Sequence, residues 1–217
     1  MTRGRRFDAV IFDMDGVLVD SEPLHFETTA RLLADFGVRF TAQENDQFVG
    51  WTDGAMFNVL VDRHHLAVSP DDLAAQRVAL MRERISQGVP RMPGVPDVLR
   101  RVAADGYRLA IASSATPALI RDVVHALAVE SLFATLVSSE EVARGKPAPD
   151  VFLEAANRLA VPAARCVVVE DSRNGLLAAK AAGMACAAIP CATTRHQDFH
   201  EADWRLHSLT ELPTVLS

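Results

Sequence analysis

The chain alternates short apolar runs with polar breaks and helical stretches. The first run, Ala9–Phe12 within "AVIFDMDGVLVDSEPLH" (residues 9–25), is wholly apolar. Four later segments follow the same rule. In residues 107–127 the spacing predicts a strand over Arg108–Ala112, with Thr116-Pro117 as N-cap and first helical position. In residues 133–160 a strand ends near Val137, and Asp150 opens a helix over Val151–Leu159. In residues 166–183 a strand covers Cys166–Val169, and Asp171 or Ser172 caps a helix that ends at Gly183. Met184–Ile189 reads as a further short strand. Continuous apolar strands alternating with helices predict an α/β fold: a Rossmann-like, doubly wound parallel sheet with both faces covered.

Residues 24–90 break the pattern. They lack β-branched runs, and residues 24–37, 53–66 and 69–88 carry helical periodicity, the last after a Ser69-Pro70 start. The expected organisation is therefore an α/β core of residues 1–19 and 91–217 with an inserted helical domain of residues 20–90. The Pro- and Gly-bearing "VPRMPGVP" (residues 89–96) serves as its second linker.

With 217 residues, 49% of them hydrophobic and 23% charged, the chain has ample material for a core. Its net charge of -6 argues against a nucleic-acid-binding surface. Arg3, Arg5 and Arg6 resemble the start of a signal peptide, but Asp8, Asp13 and Asp15 interrupt the apolar run beyond them. No uncharged apolar stretch approaches the roughly 18 residues of a membrane span. Cys166, Cys186 and Cys191 show no zinc spacing and read as reduced, mostly structural thiols of a cytoplasmic protein.

The candidate chemistry lies where open parallel sheets place it, beyond the carboxyl ends of the strands. Asp13 and Asp15 follow the first strand, Ser113 and Ser114 the second, Lys146 the third, and Glu170 and Asp171 the next. Four carboxylates on one edge repel one another unless a cation intervenes. An all-oxygen donor set without a His or Cys cluster suits Mg²⁺, which commonly binds one or two carboxylates together with substrate phosphate. Lys146 offers a point charge for that phosphate and Ser113 a hydroxyl. Asp13 can then act as the nucleophile on phosphorus and Asp15 as the general acid and, later, base.

"DMDGVLVDS", "ASSA", "KPAPD" and "VVEDSRNG" resemble, in order, the four motifs of the haloacid dehalogenase superfamily and its Mg²⁺-dependent aspartyl phosphotransferases. "SEPLH", the helical insert and Pro93–Val95 resemble the β-phosphoglucomutase-like phosphatases. The resemblance implies Asp13 as nucleophile and Asp15 as acid/base, with Asp13 and the Asp15 main-chain carbonyl also on the metal. It implies Ser113, Ser114 and Lys146 as phosphate ligands. Asp171 becomes a metal carboxylate, and Glu170 either a second ligand or one acting through water. The insert is implied to be a mobile cap with Gly50, Trp51 and Thr52 in its substrate loop, Ser21 near its hinge, and His25 and Arg77 orienting substrate. Without the resemblance, Trp51 reads as cap core and Arg77 as a solvated helix charge.

The resulting expectation is a phosphatase for a small phosphorylated metabolite, in particular a sugar phosphate, with Mg²⁺ as cofactor, no nucleic-acid or membrane partner, and a monomer by default. A sugar phosphomutase is the alternative. Mutases of this type carry an Arg in the cap loop for a second phosphate and an Asn near the first, whereas this chain has Asp53 and Pro117 there. A haloacid dehalogenase would need neither Asp15 nor the Glu170-Asp171 pair, and a non-catalytic binding domain would be expected to lack Asp13.

Overall fold

The computed structural model describes residues 5–48 and 51–216. Among them, six parallel strands form one sheet: β1 (Ala9–Phe12), β2 (Arg108–Ser113), β3 (Phe133–Ser138), β4 (Cys166–Glu170), β5 (Ala185–Ala188) and β6 (Trp204–Arg205). Their order is β3-β2-β1-β4-β5-β6. The chain steps from β1 to β2 and β3 on one side, then returns to the other side of β1 with β4. The switch point, where open α/β sheets leave a crevice at the carboxyl edge, therefore falls between β1 and β4.

The helices are α1 (Glu22–Ala34), α2 (Ala42–Asn45), α3 (Asp53–His64), α4 (Pro70–Ser86), α5 (Asp97–Ala104), α6 (Pro117–Leu127), α7 (Asp150–Leu159), α8 (Arg173–Ala181) and α9 (Leu212–Leu216). Every residue of β1 is buried, as expected of a central strand covered on both faces. Ile11, Ala110, Val168 and Cys186 pack in one cluster with Phe152, Ala155 and Leu159 of α7 and Leu176 and Ala179 of α8. No described helix is long and apolar enough to cross a membrane.

The chain divides into two compact units: Ser21–Gly88, and the residues up to Asp20 together with those from Val89 onward. The inserted unit is one residue shorter at its start and two at its end than the expected 20–90. The cause is backbone pairing inside the core unit, where the Asp20 N–H donates to the Pro90 carbonyl (3.0 Å) and Val19 bridges to Arg91. The inserted unit has its own core of Leu32, Leu33, Phe40, Phe57, Leu60 and Leu73. The Ser69 hydroxyl caps α4 by accepting from the Asp72 N–H at 3.0 Å.

Several boundaries move in ways that matter for the chemistry. β2, β3 and β4 each run on to a polar residue, Ser113, Ser138 and Glu170, that is itself fully buried. Ser172, not Asp171, is the N-cap of α8, its hydroxyl accepting from the Gly175 N–H at 3.1 Å. That releases Asp171 from capping. α8 closes as expected at Gly183 (φ +72°), with the Met184 N–H reaching back to the Ala179 carbonyl at 3.0 Å. Neither β6, only two residues long, nor α5, whose Val98, Leu99 and Val102 are buried at helical spacing, is among the expected elements.

Phe152 is fully buried between sheet and helix, beneath the Lys146 ammonium (4.8 Å to the ring centroid). Phe152→Ala is expected to destabilise the core unit by about 3–5 kcal/mol, measured as a lowered urea midpoint. An unchanged midpoint would contradict this packing.

Candidate active site

The site is built on the carboxyl edge of the core unit. The Asp13 N–H continues the sheet ladder by donating to the Val169 carbonyl at 2.9 Å. This fixes the first residue after β1 beside the end of β4. The chain then turns: the Leu18 N–H returns to the Met14 carbonyl (2.8 Å) and Gly16 donates to Val19 (2.8 Å). Gly16 has φ +74°, and a Cβ there would collide with the Asp171 carboxylate. Glycine thus satisfies both the turn and the close approach. Asp13 is buried, and Asp15, two residues on, is half-buried.

Lys146 binds this edge together. Its side chain is 6% exposed, and its ammonium donates to Asp13 Oδ1 (2.5 Å), Glu170 Oε1 (2.7 Å) and the Ala112 carbonyl (3.0 Å). All three donor positions of the ammonium are therefore engaged by protein oxygens. Burial alone would depress the lysine, but the two carboxylates outweigh it and hold the ammonium above its ordinary range. Glu170 is equally committed. Its Oε2 accepts from the Asp171 N–H (3.1 Å), the Ser172 N–H (3.0 Å) and the Ser172 hydroxyl (2.9 Å). A Cβ at Gly175 would overlap this carboxylate, so the first turn of α8 receives Glu170 only because that position is bare.

Asp171 differs. Its Oδ2 accepts from the Thr194 hydroxyl (3.2 Å) and the Cys191 thiol (3.1 Å), and Oδ1 takes no hydrogen bond among the described residues. Burial pushes its carboxyl up to about 10, with Glu170 and Asp13 adding to the shift. Burial likewise pushes Asp13 up to about 7, against the pull of Lys146 and with Glu170 and Asp15 reinforcing it. Carboxylate oxygens of Asp13, Glu170 and Asp171 lie within 4.8 Å of one another. One ammonium does not offset this excess of buried negative charge, and a hard divalent cation with oxygen ligands fits it.

On the other side of β1, the Ser113 hydroxyl accepts from the Ala115 N–H (3.0 Å), which leaves its own proton to donate. The Ser138 hydroxyl holds the Ala115 carbonyl at 2.6 Å and ties the end of β3 to this loop. Ser114 is exposed. Thr116 caps α6 by accepting from the Leu119 N–H (3.3 Å).

The structure thus brings Asp13, Lys146, Glu170 and Asp171 into direct or near contact, with Asp15 on the adjoining turn and Ser113 at the end of β2. Cys191 and Thr194 were missed. The only sequence signal for them was position: "CATT" (residues 191–194) follows the fifth strand on this same edge.

The remaining candidates belong to the inserted unit. Ser21 is buried, and its carbonyl accepts from the His25 N–H at 2.9 Å. Arg77 is not a solvated helix charge. It is 5% exposed, forms an ion pair with Asp53, and its guanidinium lies 2.5 Å from His25 Nδ1. Nor is Trp51 core: it is 52% exposed, edge-on to Phe48 at 5.6 Å. Thr52 caps α3 by accepting from the Ala55 N–H (3.3 Å). Gly50 lies outside the described residues.

The architecture and this acidic edge define a class of hydrolase. The haloacid dehalogenase-like hydrolase family model matches residues 10–189, and the chain belongs to that family. It is 34% identical to protein CbbY of Rhodobacter capsulatus over 95% of each chain. It is 30% identical to hexitol phosphatase B of Escherichia coli K12, covering 98% of this chain and 97% of that one. The crystal structure of CbbY from Rhodobacter sphaeroides with phosphate superposes with a TM-score of 0.85 at 30% identity, over 95% of this chain and 96% of that one.

The raised carboxylates make stability depend on pH. Unfolded, Asp13 and Asp171 titrate near their ordinary 3.8, whereas folded they titrate near 7 and 10. The folded state therefore binds more protons above pH 3.8, and stability present below that value is lost as pH rises. In EDTA the melting temperature is expected to fall from pH 5 to pH 8, less steeply in Asp171→Asn. Added Mg²⁺ should raise it more at pH 8 than at pH 5. A metal-free melting temperature flat across this range would contradict the burial of these charges.

Proposed function

We propose that the protein is a Mg²⁺-dependent phosphatase that hydrolyses a small phosphomonoester, in particular a sugar or polyol phosphate, through an aspartyl-phosphate on Asp13. The observation that carries this reading is the buried Asp13 carboxylate. It is held by Lys146 at 2.5 Å, at the switch point of the sheet, within a cluster that also contains Glu170 and Asp171. The phosphatase names of relatives such as hexitol phosphatase B support the substrate class.

Asp13, Asp171 and the main-chain carbonyl of Asp15 would hold the cation, and Glu170, whose oxygens are both occupied by protein donors, would act through water. When bound, Mg²⁺ lowers the repulsion between an anionic carboxylate and an anionic phosphate. The residues do the rest. An Asp13 oxygen attacks phosphorus and the bond to the substrate's ester oxygen breaks, while Asp15 donates a proton to the departing oxygen. Asp15, now ionised, takes a proton from water, which attacks the phosphorus, releases inorganic phosphate and restores Asp13. Lys146 supplies positive charge beside the nucleophile, and the Ser113 hydroxyl donates to a phosphoryl oxygen.

Hydrolysis is favoured over mutase chemistry by the inserted unit's own charges. A bisphosphorylated intermediate calls for an uncommitted cation, and Asp53 instead occupies Arg77.

With Mg²⁺ and a panel of sugar and polyol monophosphates, the protein is expected to release inorganic phosphate. Asp13→Asn should lower the rate by about three orders of magnitude or more, with an unchanged circular dichroism spectrum. EDTA should stop turnover. Near-wild-type activity in Asp13→Asn would refute the nucleophile assignment, and isomerised sugar phosphate without phosphate release would make the mutase correct.

A further inference from the structure

We infer that Thr194 is a positioning residue for Asp171, and that the loop after β5 sets the protein's affinity for its divalent cation. The inference rests on the reading of Asp171 as a cation ligand.

The Thr194 hydroxyl oxygen accepts from the Cys191 N–H at 3.0 Å and lies 3.2 Å from Asp171 Oδ2 and 3.4 Å from the Cys191 sulfur. An ionised carboxylate only accepts, so towards Asp171 the hydroxyl is the donor. The loop that presents it is closed on itself, with the Arg195 N–H donating to the Cys191 carbonyl at 3.0 Å. Thr194 is 7% exposed, so water competes little for either bond. The Cys191 thiol adds a weaker donor to the same oxygen at 3.1 Å. Gly16 stands against the same carboxylate, and its missing Cβ leaves just enough room for Oδ2. Asp171 is thereby held in one rotamer, with Oδ2 occupied by neutral donors. Oδ1 is the atom left to offer a cation. Neutral donors orient the carboxylate without placing a positive charge that would repel a cation. The Lys146 ammonium does the opposite for Asp13 and Glu170.

Hydrogen bonds that orient a metal-binding carboxylate commonly govern affinity about 10–100-fold. The test is Mn²⁺ binding to the substrate-free protein, followed by calorimetry and by the paramagnetic resonance of free Mn²⁺. Thr194→Val keeps the shape and removes the hydroxyl; its dissociation constant is expected to rise about 10–100-fold. Thr194→Ser restores the donor and should bind as wild type. Asp171→Asn should bind more weakly than Thr194→Val. If Asp171→Asn binds Mn²⁺ as wild type does, the underlying reading of the cation site fails. If Asp171→Asn loses binding but Thr194→Val does not, the cation site stands and the positioning role is overturned. A Thr194→Val protein that melts lower in EDTA yet keeps wild-type affinity overturns it in the same way, because its hydroxyl would then serve only the loop.

Discussion

Too many carboxylates share the carboxyl edge of this sheet for their burial to be tolerated on its own terms. Asp13, Glu170 and Asp171 are all buried, and one ammonium, that of Lys146, stands among them. A buried charge without a partner is among the costliest features a fold can carry. The lysine therefore belongs to the framework as much as to the chemistry. It joins the end of β1, the end of β2 through the Ala112 carbonyl, and the end of β4. The strand order makes this possible, because β1 lies between β2 and β4.

Three glycine and serine positions obey the same constraint. Gly16 and Gly175 are bare where a Cβ would strike Asp171 and Glu170, respectively. Ser172 takes over the capping of α8 and in the same bond network holds Glu170 Oε2. At Gly175 and Ser172 a helix would tolerate other residue types, and the need to pack Glu170 against backbone is the restriction. At Gly16 the turn, at φ +74°, already calls for glycine, and the close approach of Asp171 adds to it.

Much of this was legible in the sequence because two periodicities coincide with function. Apolar runs located β1 and the beginnings of β2 and β4, and the carboxyl-edge rule then pointed to Asp13, Ser113, Lys146, Glu170 and Asp171 without any contact being known. The misses share a physical cause. Arg77 reads as solvated because a helical arginine usually is, and nothing in its own neighbourhood announces Asp53, 24 residues away in the chain. Trp51 reads as core because of its size, yet it is more than half exposed. Thr194 and Cys191 follow an alanine-rich strand and carry no charge, so residue type alone gave them no weight. β6 is too short to show a period at all.

The adjacent carboxylates Glu170 and Asp171 show how one dipeptide can be divided between two roles. Glu170 is the last residue of β4, its carbonyl still accepting from the Ile189 N–H at 2.7 Å, and all its side-chain capacity goes to protein donors. Asp171 has left the strand, and its donors are neutral and confined to one oxygen. A carboxylate saturated by an ammonium and three further donors has little left to offer a cation, whereas one oriented by a hydroxyl and a thiol keeps its charge available. The strand boundary between residues 170 and 171 is thus also a boundary between a carboxylate that holds the site together and one held ready within it.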